Sequence, residues 1–454
     1  MKLFLLLLTI TCVSAVEARP LYEKLQDKKY SFSALNMFFK ETSAKTISSD
    51  HLEKLEEILQ STGIEVAEDY GVKTLELYRT PSIYFVLARK ALLNGDHAGA
   101  LVQADKISSD HRLYPEAQHI RAQVFATQNN LDAEVEAYLA CAAGAQKRIN
   151  KEEERYYRTL TEVCAANRAR RVFREGNHKL ALDQLNKFPK DTYKWPYLLY
   201  ERAWLYFHKG DYNRALGLLM TYKSPLMDTY FFPEAEYLMA LSYFKLCLYQ
   251  DSTLIINQYY QAYRPRYAAL EQVLRENKNT KDFFFNMLFK QDKELKNHTE
   301  FVRQIVIRMK KQNRFATGFK QIKQLNSEIK KIQTAEKVQV QSLLLSHLVA
   351  VRSNLVAKLD NYAKLEIFSF LETVRYFSNE LFKMNLEIIS RKKDLIYENK
   401  ALVADRSRGD YSNVKRDRFE YFWKFEGAFW ADELGDYSLG LKSNCETVSR
   451  GKKK

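Results

Sequence analysis

Small residues spaced about twelve apart across a short turn recur through residues 81–265, and they constrain the fold more than any other feature of the chain. Ala203 and Ala215 flank Lys209-Gly210-Asp211, Ala88 and Ala100 flank Asn94-Gly95-Asp96, and Ala169 and Ala181 flank Glu175-Gly176-Asn177. Ala122 and Ala133 flank Gln128-Asn129-Asn130, and Ala240 and Ser252 flank Leu248-Tyr249-Gln250. Two antiparallel helices can bring their backbones close only where each offers a small side chain at the crossing. The spacing therefore predicts a series of helical hairpins. The step is 34 residues from Ala88 to Ala122 and from Ala169 to Ala203, 37 from Ala203 to Ala240, and 47 from Ala122 to Ala169, so one unit carries an insertion.

A helix–turn–helix unit with a period of about 34 residues is the pattern of tetratricopeptide repeats, and residues 81–265 resemble that family. The bulky residue that the family favours four places before the first small residue is Tyr84 in one unit and Leu199 in another. The resemblance implies an α-solenoid in which the first helix of each pair lines a concave surface. Its lining would include Arg170, Phe173 and Arg174 in one unit, Tyr197, Tyr200, Trp204, Phe207 and His208 in the next, and Tyr237, Leu241 and Phe244 in the last. The expected partner-binding surface is thus an aromatic groove with a basic edge, formed by Arg170, Arg174, Tyr197, Tyr200, Trp204, Phe207, Tyr237 and Phe244, and its expected ligand is a protein or peptide. Tyr and Trp supply contact area at low entropic cost. Packing between repeats is the other use such side chains have.

The rest of the chain reads as helical too. With 14 Gly and 8 Pro in 454 residues there is little material for the turns of a β fold, and the length calls for two or three structural units. Residues 16–80 read as an N-terminal helical cap, with Ser49 before a periodic run of Leu52, Leu55, Ile58 and Leu59 that stops at Gly63. Pro81, Pro115, Pro189, Pro225, Pro233 and Pro265 fall where helices of the repeats should break. Residues 266–408 hold no proline and one glycine, Gly318. Apolar residues recur there at steps of three and four: Ile322, Leu325, Ile329 and Ile332, then Leu344, Leu348, Val351, Leu355, Leu359 and Tyr362. This narrow stripe suits long helices that pair with one another. It predicts an arm of about three such helices, a helical hairpin or coiled coil, with breaks near Gly318 and near residues 361–364 or 378–379. Residues 401–418 read as a linker, and the closing segment with its aromatic motif is taken as 409–454.

The N-terminus carries Lys2, an apolar run from Leu3 to Leu8, and Val13-Ser14-Ala15, the layout of a secretory signal peptide over residues 1–15. The run is too short for a membrane span, and Thr9-Ile10-Thr11 before Cys12 fit lipoprotein processing poorly. The expectation is an exported protein, periplasmic or envelope-associated, without a lipid anchor. Cys141, Cys164, Cys247 and Cys445 remain after cleavage. In an oxidising compartment Cys141 and Cys164 are placed to clip the insertion, although four cysteines allow three pairings and unpaired burial in helices is the alternative. The formal charge is +15, and residues 261–340 carry 18 Lys plus Arg against 8 Asp plus Glu, a local excess of 10. A solvated helix face accounts for such charge, and an anionic membrane surface is a second partner it would suit. Nucleic acid is not expected for an exported chain.

The C-terminal stretch holds two Phe-Trp pairs seven apart, Phe422-Trp423 and Phe429-Trp430, with Phe425, Gly427, Asp432, Glu433, Gly435 and Tyr437. This segment resembles a closing motif of exported tetratricopeptide proteins of deltaproteobacteria, some associated with gliding motility, and the resemblance implies a role in the cell envelope. A dense aromatic motif left in water would be a costly patch, so it is expected to dock on the chain itself, with the arm as the nearest apolar stripe, Gly427 and Gly435 supplying turns, and Lys424 and Glu426 facing solvent.

Catalytic signatures are absent from the sequence: there is no His-Glu-x-x-His, Cys-x-x-Cys, Gly-x-Ser-x-Gly or glycine-rich phosphate loop. No catalytic residue, metal or cofactor is expected; Asp432, Glu433 and Asp436 read as solvated carboxylates. The sequence as a whole predicts an all-α, non-enzymatic scaffold. The alternative is a membrane-surface or coiled-coil tether acting through its basic arm. Nothing in the sequence fixes an oligomeric state.

Overall fold

The computed structural model describes residues 19–42, 47–192, 194–227, 232–290, 295, 298–398 and 422–445. The signal segment 1–15 and the linker 401–418 lie outside the described residues. The fold is all-α; the strands among the described residues form one two-residue pair, β1 (Trp423–Lys424) parallel to β2 (Tyr437–Ser438). The chain divides into two compact units, one drawn from Met1–Val86 and Gln321–Ser353, the other from Leu87–Lys320 and Asn354–Lys454.

The first unit contains α1 (Leu21–Asp27), α2 (Ser31–Glu41), α3 (Ser49–Thr62) and the single turn α4 (Val72–Leu75). Ser48, one residue before the expected Ser49, caps α3 in a capping box with His51, and Gly63 stops the helix at φ 90°. Long-helix residues join this unit. Ile322, Leu325, Ile332, Leu344 and Leu348 of the predicted stripe are all buried. Tyr30 offers α2 no side-chain cap. Glu328 takes that role from a distance, accepting from the backbone amides of Phe32 (3.1 Å) and Ser33 (2.9 Å) and from the Ser33 hydroxyl (2.7 Å).

The second unit is built on hairpins: α5 (Pro81–Leu93) with α6 (His97–Ala104), α7 (Tyr114–Thr127) with α8 (Leu131–Gln146), α9 (Glu154–Arg174) with α10 (His178–Leu185), α11 (Trp195–His208) with α12 (Tyr212–Met220), and α13 (Pro233–Lys245) with α14 (Tyr249–Glu276). One turn serves them all. Gly95, Asn129, Gly176, Gly210 and Cys247 take positive φ, and the next residue's amide reaches back five residues, as Asp211 N does to Tyr206 O at 2.9 Å. That next residue is Asp96, Asn130, Asn177 or Asp211 in four hairpins, and its side chain caps the second helix. The small residues lie buried at the crossings, Ala88, Ala100, Ala122, Ala169, Ala181, Ala203, Ala215, Ala240 and Ser252 among them. Ala133 is only half-buried. Further along α8, Ala137 and Cys141 are fully or nearly fully buried, and Cys141 is bonded to Cys164 across a Cα separation of 6.1 Å.

Three expected breaks are not breaks. Helix α14 runs through Pro265, held on both sides by buried Tyr259, Tyr263 and Leu270, so packing overrides the lost amide. After α15 (Phe283–Phe289) and α16 (Glu300–Lys310), α17 (Asn313–Ala335) passes through Gly318, and α18 (Val338–Tyr397) runs 60 residues through 361–364 and 378–379. Gly318 marks a close approach: a Cβ there would meet Leu359 at 2.9 Å. The actual break falls at residues 336–337, where Gln341 Nε2 donates to the Gln333 and Glu336 carbonyls at 3.0 and 2.8 Å and satisfies the end of α17.

Candidate functional site

The second half of α18 does not extend away from the hairpins; it packs on them. Tyr259 and Tyr260 on α14 donate to the backbone carbonyls of Val374 and Ser378, both at 2.8 Å. Leu381, Met384 and Ile388 share a buried cluster with Leu216, Ala240 and Leu248. The ring of Tyr237 lies 5.2 Å from that of Phe377. Further along, α16 lies beside the same helix, with Phe301 and Phe370 at 5.6 Å. Between α11, the start of α13, α16 and α18 a cleft of about 320 Å³ stays open.

Its walls are set by local chemistry. Pro196 and Pro233 begin α11 and α13, where a missing amide costs nothing, and the Tyr222 hydroxyl donates to the Pro196 carbonyl behind the wall. Tyr197, Tyr200, Phe232, Ile305, Met309 and Phe370 give an aromatic and apolar floor, while Arg170, Lys194, Glu201, Glu234, Arg308 and Glu366 supply charges of both signs. Arg170 is held by Glu201 at 2.6 Å and by Asn167 at 2.5 Å. The Arg308 guanidinium donates to the Tyr197 hydroxyl. The Tyr197 ring carries a cation from each of two sources, Lys194 Nζ 5.6 Å and Arg308 Cζ 5.7 Å from its centre.

Burial weakens the charges of this cleft. It pushes the Lys194 ammonium down, with Arg170 adding repulsion against the pull of Glu162 and Glu201. It pushes the Glu234 carboxyl up, against the opposing field of Arg308, and the Tyr200 phenol well up. A concave apolar floor with charges of both signs around it can take an apolar group while the rim meets polar ones.

Of the sequence-predicted groove residues, Arg170, Tyr197 and Tyr200 come together here. Trp204 and Phe207 form a neighbouring cluster, 5.5 Å apart, with His208 5.7 Å from Trp204. Phe244 packs on Tyr249 within its own hairpin at 5.7 Å, and Arg174 is exposed outside the cleft. Tyr237 is covered by α18 through Phe377. Sequence reading missed Lys194, Phe232, Glu234, Arg308 and Glu366. Only the basic excess of residues 261–340 pointed toward Arg308.

The C-terminal motif docks, but on the hairpins rather than the arm. Tyr437 is fully buried and Phe422 nearly so. Phe422 stands edge-on to Tyr206 at 5.8 Å, with the Arg214 guanidinium 4.7 Å from its ring centre. Backbone bonds stitch the segment down: Leu439 N to Asn213 O at 3.1 Å and Asn444 N to Leu246 O at 2.9 Å. The Gly435 amide donates to Thr221 Oγ1 at 2.9 Å, and Cys445 is bonded to Cys247. Gly427 and Gly435 take positive φ as expected, and Phe425 packs on Phe429 and Tyr437, both at 5.2 Å. The tryptophans behave differently: Trp423 is 39% and Trp430 63% exposed. Lys190 binds Asp436 and the Asp432 carbonyl, each at 2.7 Å, and Glu433 is half-buried. Among the described residues no group of three His, Cys, Asp or Glu side chains is gathered as a metal would need.

A scan of the chain against protein-family models finds no match, and a search of curated proteins finds none either.

Proposed function

We propose that this protein is an exported, non-enzymatic scaffold of the tetratricopeptide type that binds a protein or peptide partner in a cell-envelope assembly, with motility among the processes its C-terminal motif suggests. The observation that carries this reading is the cleft of about 320 Å³, where Tyr197 and Tyr200 of the hairpins meet Arg308 and Glu366 of the helices folded against them. An aromatic floor set between opposite charges is the composition of a recognition hot spot. The two disulfides support an oxidising compartment.

Photo-crosslinking and pull-down from intact cell envelopes tests the reading. Tyr200→Ala removes a cleft anchor and is expected to weaken capture of the partner by about 2 kcal/mol with helicity unchanged. Trp204→Ala, outside the cleft, is expected to capture normally. Equal capture by wild type, Tyr200→Ala and Arg308→Ala sinks the proposal. The second reading, a membrane-surface or coiled-coil tether acting through the basic arm, rests on the local excess of 10 positive charges over residues 261–340. Release from vesicles and envelopes by moderate salt marks that tether; capture that survives raised salt marks the cleft.

A further inference from the structure

Helix α18 carries an apolar seam on one face of residues 365–396 and a second seam, part apolar and part charged, on the opposite face. The inner seam, Ile367, Phe370, Val374, Phe377, Leu381, Met384, Ile388 and Leu395, is buried or half-buried within the unit. The outer seam follows the same three–four spacing through Leu365, Phe368, Glu372, Arg375, Asn379, Phe382, Leu386, Ile389, Lys393 and Ile396. Its large apolar members are open to solvent: Phe368 is 53%, Phe382 56% and Ile389 56% exposed. A helix that needs only one buried face gains nothing from six large apolar side chains on a second face in water.

We infer that the outer seam of α18 is an antiparallel coiled-coil interface with a second copy of this chain. The charges on the seam select the occupant and its direction. A parallel pair would set Glu372 against Glu372, Arg375 against Arg375 and Lys393 against Lys393. In an antiparallel pair one register satisfies both central charges at once, with Glu372 of each copy facing Arg375 of the other about a two-fold axis between them. The same register sets Leu365 against Phe382 and Phe368 against Asn379, and carries Leu386 and Ile389 onto Asn361 and the methylene stem of Lys358, on the turns of α18 that precede the seam. In the single chain Glu372 and Arg375 lie on one another, exposed at 39% and 62%, and are free to exchange partners. The interface is isologous and closes at two copies.

Sedimentation of the mature full-length protein over a concentration series tests this. The expected result is a dimer whose dissociation constant rises about tenfold or more in Glu372→Arg and in Arg375→Glu, since each single change sets like charges face to face. An equimolar mixture of the two variants restores the dimer, and so does the double exchange in one chain. Those rescues separate the seam from a folding defect, because an exposed ion pair within one helix contributes little to stability. A wild-type protein that stays monomeric at every concentration overturns the inference, whether a membrane, another protein or another part of the chain covers the seam. Single variants that dimerise like wild type overturn it equally. Tyr200→Ala leaves the dimer intact, so failure of the cleft and failure of the seam are distinguishable.

Discussion

Glu328 stands where an N-cap side chain is missing, and its three hydrogen bonds are made at the cost of burying a carboxylate. Burial is the largest influence on that carboxyl and raises it, with the Ser33 and Phe32 contacts opposing. A raised carboxyl in the folded state contributes stability that is complete below the unfolded value of about 4.3 and is lost as pH rises through the folded value. Glu328→Gln lacks this titration. The stability advantage of wild type over Glu328→Gln is therefore expected to be largest at about pH 4 and to shrink toward neutrality; urea melts of both proteins at the two pH values check it, and an advantage that grows with pH refutes it. Gly217 is a second residue whose identity is dictated by contact: a Cβ there would lie 2.0 Å from the Tyr437 carbonyl oxygen. Neighbouring backbone cannot yield as a side chain can, so Gly217→Ala is expected to cost about 1–3 kcal/mol and to free residues 422–445 to protease.

Among the elements, the hairpins were legible because everything that makes them is local. In three of them a glycine at positive φ, then Asp or Asn, then Ala four positions on, fixes both the turn and the crossing. The long helices were less legible. Gly318 reads as a stop until Leu359 is seen above it, and the Gln341 side chain that closes α17 carries no mark in the sequence. The cleft divides in the same way: Arg170, Tyr197 and Tyr200 follow from repeat position, whereas Arg308 and Glu366 arrive on helices whose docking depends on contacts between residues more than a hundred apart. The C-terminal motif was rightly expected to dock, and its site was missed because Asn213, Gly217 and Thr221 look like ordinary helix surface. Deleting residues 419–454 is therefore expected to lower the melting temperature and to open the segment from Trp195 to Cys247 to protease. Cleavage confined to α18 would contradict this placement.

Across the whole molecule, the two disulfides tie export to stability. Cys141–Cys164 closes a short loop inside the repeats, while Cys247–Cys445 spans 198 residues and clamps the end of the chain to the last hairpin. Cross-linking so long a loop removes unfolded-state entropy worth about 2–5 kcal/mol, a large share of the margin by which a protein stays folded. That gain exists only where thiols are oxidised, so the proposal of export and the stability of the C-terminal motif stand together. Protein recovered from its own cell envelope is expected to begin near Val16 and to show no free thiol after denaturation. The same chain made in a reducing cytosol should titrate four thiols beyond Cys12, melt at a lower temperature, and lose residues 422–445 first to protease. Cys445→Ser should reproduce that early loss in the exported form. Native protein that keeps Met1, carries free Cys247 and melts no lower after reduction would remove both the export and the clamp.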